Sequence, residues 1–273
     1  MLVDFGSRLH RYPTTSTRLG RHHLVDSRSL RWLHHHDGSE LKPAEHMPKV
    51  PVLDQEDLLE QNIHVAELVP GATDVDALGS CTGNAGTAAV SALLTADQCA
   101  AAGLNVTSSW AAEEWAIELY SQATKDDDNP GQWPPTDAGS SGLGVARALK
   151  DRGLITGYVH ATNATGFASL LQSGTVMAGI PWFQAWFDTQ PGQLLDEVAG
   201  WETSGLAGGH EICVVALETV EQDWLGRVVP EKTVVKFQNS WTAQWCDGGF
   251  GRFSLALYAQ LRSHIDLIQL KGA

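Results

Sequence analysis

Cys81, His210 and Asn239 have the types and the sequence settings that nucleophilic acyl transfer needs. A cysteine attacks as its thiolate, and a helix start with an imidazole alongside lowers a thiol pKa from about 8.5 to roughly 3.5–7.5. Cys81 lies in the turn-like run Leu78-Gly79-Ser80-Cys81-Thr82-Gly83-Asn84. Beyond it Ala85, Ala89, Val90, Leu93 and Leu94 recur at helical spacing, so a helix is expected to begin at the cysteine with Ser80 as its cap. Unpaired backbone N–H groups and the helix dipole would favour negative charge on the sulfur there. His210 follows Gly208-Gly209 and heads an apolar run, residues 212–217, that reads as a buried strand. An imidazole base needs an orienting partner, and Asn239, with Trp241 two positions on, offers one. Cys99 and Cys213 read instead as small buried apolar groups.

The surrounding elements follow from pattern. An amphipathic helix is expected over residues 109–123, opened by Ser108 or Ser109 and carrying Trp110, Ile117 and Leu119 with a polar side of Glu113, Glu114 and Glu118, and an acidic turn over 126–131 should end it. A Pro-rich loop from Trp133 leads into a helix over 143–152, and β-branched runs at 176–180, 212–217 and 233–237 predict strands. Helices first and strands second is an α+β order.

Three motifs in this order, Gly-Ser-Cys at Cys81, Gly-Gly-His at His210 and Asn-Ser-Trp at Asn239, resemble those of the papain-like cysteine peptidases, in particular the divergent bacterial and phage branch. His210 lies 129 residues after Cys81 and Asn239 lies 158 after it, near the roughly 130–150 of papain and the cathepsins. The run from Gln238 to Phe253, with Trp245 and Gly248-Gly249-Phe250-Gly251, is similar to the family's segment after its asparagine, and the likeness spans about residues 48–260. The resemblance implies a two-lobed α+β fold, with a helical left lobe and an antiparallel β-barrel-like right lobe facing each other across a cleft. It also implies a Cys81 nucleophile, a His210 acid and base, an Asn239 orienter and a Trp241 indole that keeps water from the Asn–His hydrogen bond. Ser141 and Gly142 match the loop that pairs its backbone with substrate. The substrate implied is a peptide or protein, with no cofactor and no metal.

Departures from the family pattern bear on the oxyanion hole. The family's glutamine six residues before the nucleophile is Val75 here. Pro51-Val52-Leu53-Asp54-Gln55 nevertheless resembles the phrase that leads to the nucleophile, interrupted by an insertion at about 56–77. Gln55 would then join the N–H of Cys81 as the second donor, the extra residues looping out at little entropic cost. Gln61, or no side-chain donor, are the competing readings. Thr242 and Cys246 stand where the family has glycines.

Charge divides the 273 residues unevenly. Residues 1–50 hold eight Lys/Arg against five Asp/Glu, a net of +3, so the rest carries −17 of the total −14. An acidic body argues against nucleic-acid binding. The organisation expected is a basic arm over residues 1–47, propeptide-like by resemblance or contacting a partner, followed by a peptidase domain over 48–273. His22, His23 and the run 34–36 read as solvated rather than as a metal tract. Gly20-Arg21-His22 with Asp26-Ser27-Arg28-Ser29 resembles a phrase preceding the core in phage and bacterial relatives, with no evident physical purpose.

No apolar run reaches the roughly 18–20 residues of a membrane span. Residues 1–31 are rich in Arg and His without an apolar stretch, which predicts cytoplasmic synthesis, with association to a virion if the chain is phage-encoded. The glycosylation triplets at Asn105 and Asn163 read as incidental on that view. Two other functions fit the same residues: an amidase or cell-wall peptide hydrolase, and a non-catalytic structural or binding protein such as a virion component. Side-chain preference and oligomeric state are not legible.

Overall fold

The apolar runs of the second half of the chain pair into one antiparallel sheet, and helices from the first half cover one of its faces. The computed structural model describes residues 19–21, 32–127 and 131–272. His22, His23, the Asp26-Ser27-Arg28-Ser29 phrase and residues 128–130 of the expected acidic turn lie outside the described residues. The helices are α1 (Val65–Leu68), α2 (Cys81–Leu93), α3 (Ala96–Ala101), α4 (Ser109–Asp126), α5 (Gly142–Asp151), α6 (Ala164–Leu170) and α7 (Leu255–Leu261). The strands are β1 (Ala44–Glu45), β2 (Gly157–His160), β3 (Val176–Phe183), β4 (Leu206–Thr219), β5 (Val234–Gln238), β6 (Phe250–Ser254) and β7 (Asp266–Lys271).

Strand order is β2-β7-β3-β4-β5-β6, with β1 added to β4. The α+β class and the two lobes are as the resemblance implies, but the sheet is open rather than barrel-like. Its end strands, β2 and β6, do not pair, because α6, α7 and a buried aromatic cluster that includes Trp182, Trp186 and Phe237 fill the second face. The core on that side is complete without closure.

β4 explains why its sequence is apolar without alternation. Ile212 and Val214 join the aromatic core on one face, while Cys213 and Val215 meet α2, α4 and α5 on the other. A strand buried on both faces has no polar side to show. A register shift between Val214 and Ala216 then puts Val215 and Ala216 in the same core.

Two expectations about helix polarity fail. Ser108 does cap α4, accepting from the N–H of Ala111, but Ser80 does not cap α2, and its Oγ is buried with no hydrogen-bond partner among the described residues. A cap needs an extended backbone, and Ser80 sits near the helical region at φ −90°, ψ 14°. Glu113, expected on the polar side of its helix, is fully buried. Its Oε2 accepts from the Asp54 N–H (3.2 Å) and from Asn84 Nδ2 (3.1 Å), tying the segment before the insertion to α2. Burial pushes its carboxyl up to about 8, against the Asn84 hydrogen bond, so it is protonated at neutral pH.

Residues 56–77 close on themselves. Leu78 N–H donates to Gln55 O (3.1 Å) and Leu58 N–H to Asp76 O (2.8 Å), which brings Gln55 and Leu78 together. Leu58, Ile63, Val65 and Val69 pack with Leu78, Ile117, Tyr120 and Trp133, and Val75 lies at the edge of that cluster.

Candidate active site

β4 and β5 bring His210 and Asn239 side by side, since Cys213 pairs with Gln238 in the register. His210 Nε2 donates to Asn239 Oδ1 at 2.7 Å. That bond fixes the tautomer: Nε2 carries the hydrogen and Nδ1 is left as the acceptor, buried and without a partner among the described residues. The Trp241 ring stacks on the imidazole, centroids 4.6 Å apart and planes 21° apart, and Trp182 meets it edge-on at 5.0 Å. The indole expected over the Asn–His hydrogen bond therefore lies on the imidazole face itself. Full burial lowers the His210 pKa to about 4, opposed by the Asn239 hydrogen bond.

Cys81 is the first residue of α2, which packs on β4. It is fully buried, and part of what covers it is the arm: Leu19, Gly20 and Arg21 run across the sulfur. The Gly20 N–H donates to Sγ at 3.3 Å, the Gly20 carbonyl accepts from Ser140 N–H at 2.7 Å, and Arg21 N–H donates to Gly209 O at 3.2 Å. Glycines make the approach possible. A Cβ on Gly20 would overlap the Gly79 carbonyl, and one on Gly139 would overlap the Gly20 carbonyl. Desolvation pushes the thiol up to about 12, although the backbone N–H groups of Glu211 and Gly20 favour the thiolate. With the arm seated, sulfur is a thiol and imidazole is neutral at pH 7.

The loop expected to pair its backbone with substrate meets the arm at Ser140. Ser140 bridges Arg21, whereas Ser141 Oγ caps α5 by accepting from Gly144 N–H (3.1 Å) and Gly142 opens that helix.

Gln55 is fully buried between the other site residues. Its Nε2 donates to Leu78 O (3.0 Å), three residues before Cys81, and its Oε1 accepts from Ser240 Oγ (2.7 Å), next to Asn239. Gln61 Nε2 is spent on the carbonyls of Asp54 and Glu56. Of the two candidate amides, folding brings Gln55 to the cysteine side of the site.

Thr242 and Cys246 keep the backbone that glycine would favour, at φ 61° and φ 47°. For a β-branched residue that region is strained, by about 1–3 kcal/mol. Thr242→Gly is expected to raise unfolding free energy by about 0.5–1 kcal/mol, the relief exceeding glycine's entropy cost and the lost Oγ bond to Gln244 N–H. A urea midpoint that falls would show that the Oγ bond outweighs the strain.

Three groups at the site carried no sequence signal of their role. The Arg21 guanidinium enters between Glu211 and Asp266, both buried. Glu211 is marked only by following His210, and Asp266 by nothing.

Among solved structures, the chain is similar to xylellain, a cysteine protease from Xylella fastidiosa, at 14% identity and TM-score 0.61, over 96% of this chain and 98% of that one. It is also similar to digestive procathepsin L 3 of the Tenebrio molitor larval midgut (15% identity, TM-score 0.55, 93% and 76% covered). A third is procathepsin B S9 from Trypanosoma congolense (11% identity, TM-score 0.51, 94% and 87% covered). No protein-family model matches the sequence, and no curated protein sequence does. The likeness is one of fold: this chain has the fold of the papain-like cysteine proteases.

Proposed function

We propose that this chain is a cysteine peptidase, held at rest by its own residues 19–21. The observation that carries the reading is the His210–Asn239 hydrogen bond of 2.7 Å, which leaves Nδ1 as a free acceptor in the site that holds the Cys81 thiol at the head of α2. In the reaction the thiol proton passes to His210 and Sγ bonds to the carbonyl carbon of a peptide. The backbone N–H of Cys81 and Nε2 of Gln55 receive the developing oxyanion. The C–N bond breaks as His210 protonates the leaving amine, and His210 then deprotonates a water that cleaves the thioester. Asn239 orients the imidazole throughout, and Trp241 and Trp182 keep water from its hydrogen bond.

The arm fills the cleft without being a substrate. It offers sulfur an N–H rather than a carbonyl carbon, and the Gly20 carbonyl is held by the Ser140 N–H. When it leaves, water returns to Cys81 and His210, and both pKa values move toward those of an exposed thiol and imidazole, which favours the ion pair.

The test is reaction with a thiol-directed epoxysuccinyl compound, mapped by mass. Cys81 should take the label, and hydrolysis of a mixed peptide pool should fall in proportion. A chain that hydrolyses peptides with Cys81 unlabelled, or that neither labels nor hydrolyses with the arm displaced, overturns the reading. Gly20→Val displaces the arm, because the new Cβ has no room beside the Gly79 carbonyl. Both labelling and hydrolysis should rise at least about tenfold, which needs only about 1.4 kcal/mol of bias against the seated arm. Unchanged rates would mean that the arm does not gate the site.

A further inference from the structure

Arg21 is the occupant of a pocket that the rest of the fold builds. Its side chain is 1% exposed, and the carboxylates facing it, Glu211 and Asp266, are 1% and 4% exposed at their side chains. Its Nη2 bonds Asp266 Oδ1, its Nη1 donates to the His264 carbonyl at 3.4 Å, and its Nε lies 3.6 Å from Glu211 Oε2. The walls come from four separate places: Glu211 follows His210 on β4, Asp266 opens β7, and Gly142 and Gly179 stand on α5 and β3. Those glycines provide the room. A Cβ on Gly179 would overlap the guanidinium, and one on Gly142 would come within 2.7 Å of Glu211 Oε1.

Among the described residues the pocket has no cation besides Arg21. Among the described residues Arg21 alone forms an ion pair with either carboxylate, and neither Glu211 oxygen has a hydrogen-bond partner. Arg21 arrives on the same short segment whose preceding residue touches Cys81 Sγ. Any segment that replaces the arm over the thiol therefore leaves the buried Asp266 carboxylate to be satisfied one residue away, beside a Glu211 carboxyl that burial and then Asp266 push toward its protonated form and Arg21 pulls back, and burying such a charge unpaired is costly.

We infer that the Glu211–Asp266 pocket is a specificity site for a basic side chain, so that peptides offering arginine or lysine beside the scissile position are the favoured substrates. Arg21 is the internal copy of that side chain. A guanidinium suits the pocket better than an ammonium, because its fork can reach the Asp266 carboxylate and the His264 carbonyl together. This rests on the peptidase reading, and the experiment separates the two.

The full-length Arg21→Ala protein vacates the pocket. Its thermal stability is measured with millimolar n-propylguanidinium and, as a neutral match, n-propylurea. Propylguanidinium should raise the Tm of Arg21→Ala by several degrees and should not raise that of the native chain or of Arg21→Ala/Asp266→Asn; propylurea should do nothing. Absence of that selective rise overturns the pocket, whatever the protein hydrolyses. The same Arg21→Ala protein is then given peptides that differ at one residue. Arg or Lys should exceed Leu or Glu at least tenfold in kcat/KM, and Asp266→Asn should erase the preference. Cleavage without a basic preference overturns the inference and keeps the peptidase. No cleavage, with propylguanidinium still bound, removes the peptidase and keeps the cation pocket. If Arg21→Ala does not fold, Arg21→Lys and Arg21→Met decide the matter: the charged variant should keep a Tm clearly above the uncharged one, and equal losses overturn the pocket.

Discussion

Cys81→Ala is expected to leave no measurable peptide hydrolysis, a loss of at least about 10⁴-fold, because without sulfur no acyl-enzyme forms and only the oxyanion donors and binding remain. The fold should survive. The substitution removes one buried atom at the first residue of a thirteen-residue helix and the acceptor of the Gly20 N–H, a cost of about 1–2 kcal/mol. Circular dichroism and a urea midpoint establish that the variant is folded, and a coupled peptide assay measures the rate. Native-like hydrolysis by a folded Cys81→Ala would dismiss the thiol mechanism and move attention to another nucleophile.

Gln55→Ala tests the oxyanion hole. Removing one preorganised donor lowers kcat by about 10²–10³ with little change in KM, since the charge it meets exists only in the transition state. Part of any loss would be structural. The Gln55 side chain bonds both Leu78 O and Ser240 Oγ; truncation takes the acceptor from the buried Ser240 hydroxyl, at about 1–3 kcal/mol, while Leu78 O keeps the Ser80 N–H at 2.8 Å. Ser240→Ala separates the effects: it removes the acceptor's partner but keeps the Nε2 donor, and its kcat should stay within about tenfold of native. An unchanged rate in Gln55→Ala would assign the oxyanion to backbone N–H groups alone.

Much of this site is legible in the sequence because its signals are local. A glycine turn before Cys81, a glycine pair before His210 and a run of apolar residues after it are statements about nearby backbone, and the folded chain obeys them at each place. Gln55 is legible for a related reason. The phrase before it keeps its form although 22 residues, 56–77, separate it from Leu78, and the hydrogen bond between Leu78 N–H and Gln55 O shows how a loop can leave and return without moving its ends. Even the left-handed turns at Thr242 and Cys246 are kept without the glycines that make them easy, since the strand pairing on either side demands them.

What folding alone decided concerns meetings between distant segments. Periodicity placed Glu113 on a polar side, yet a helix side that faces α2 and the insertion is buried, and its carboxyl stays protonated and serves as an acceptor for Asp54 and Asn84. The open sheet depends on what fills its second face. Arg21 is the plainest case. Its partners lie 190 and 245 residues away, and nothing near Arg21, Glu211 or Asp266 in the chain marks them as a set. The sequence by itself determined which residues have the types and spacing that the proposed thiol chemistry needs and the backbone turns that present them. Only the tertiary structure decided which charges are brought out of water together, because desolvation and ion pairing depend on burial and distance, and neither is a local property of the chain.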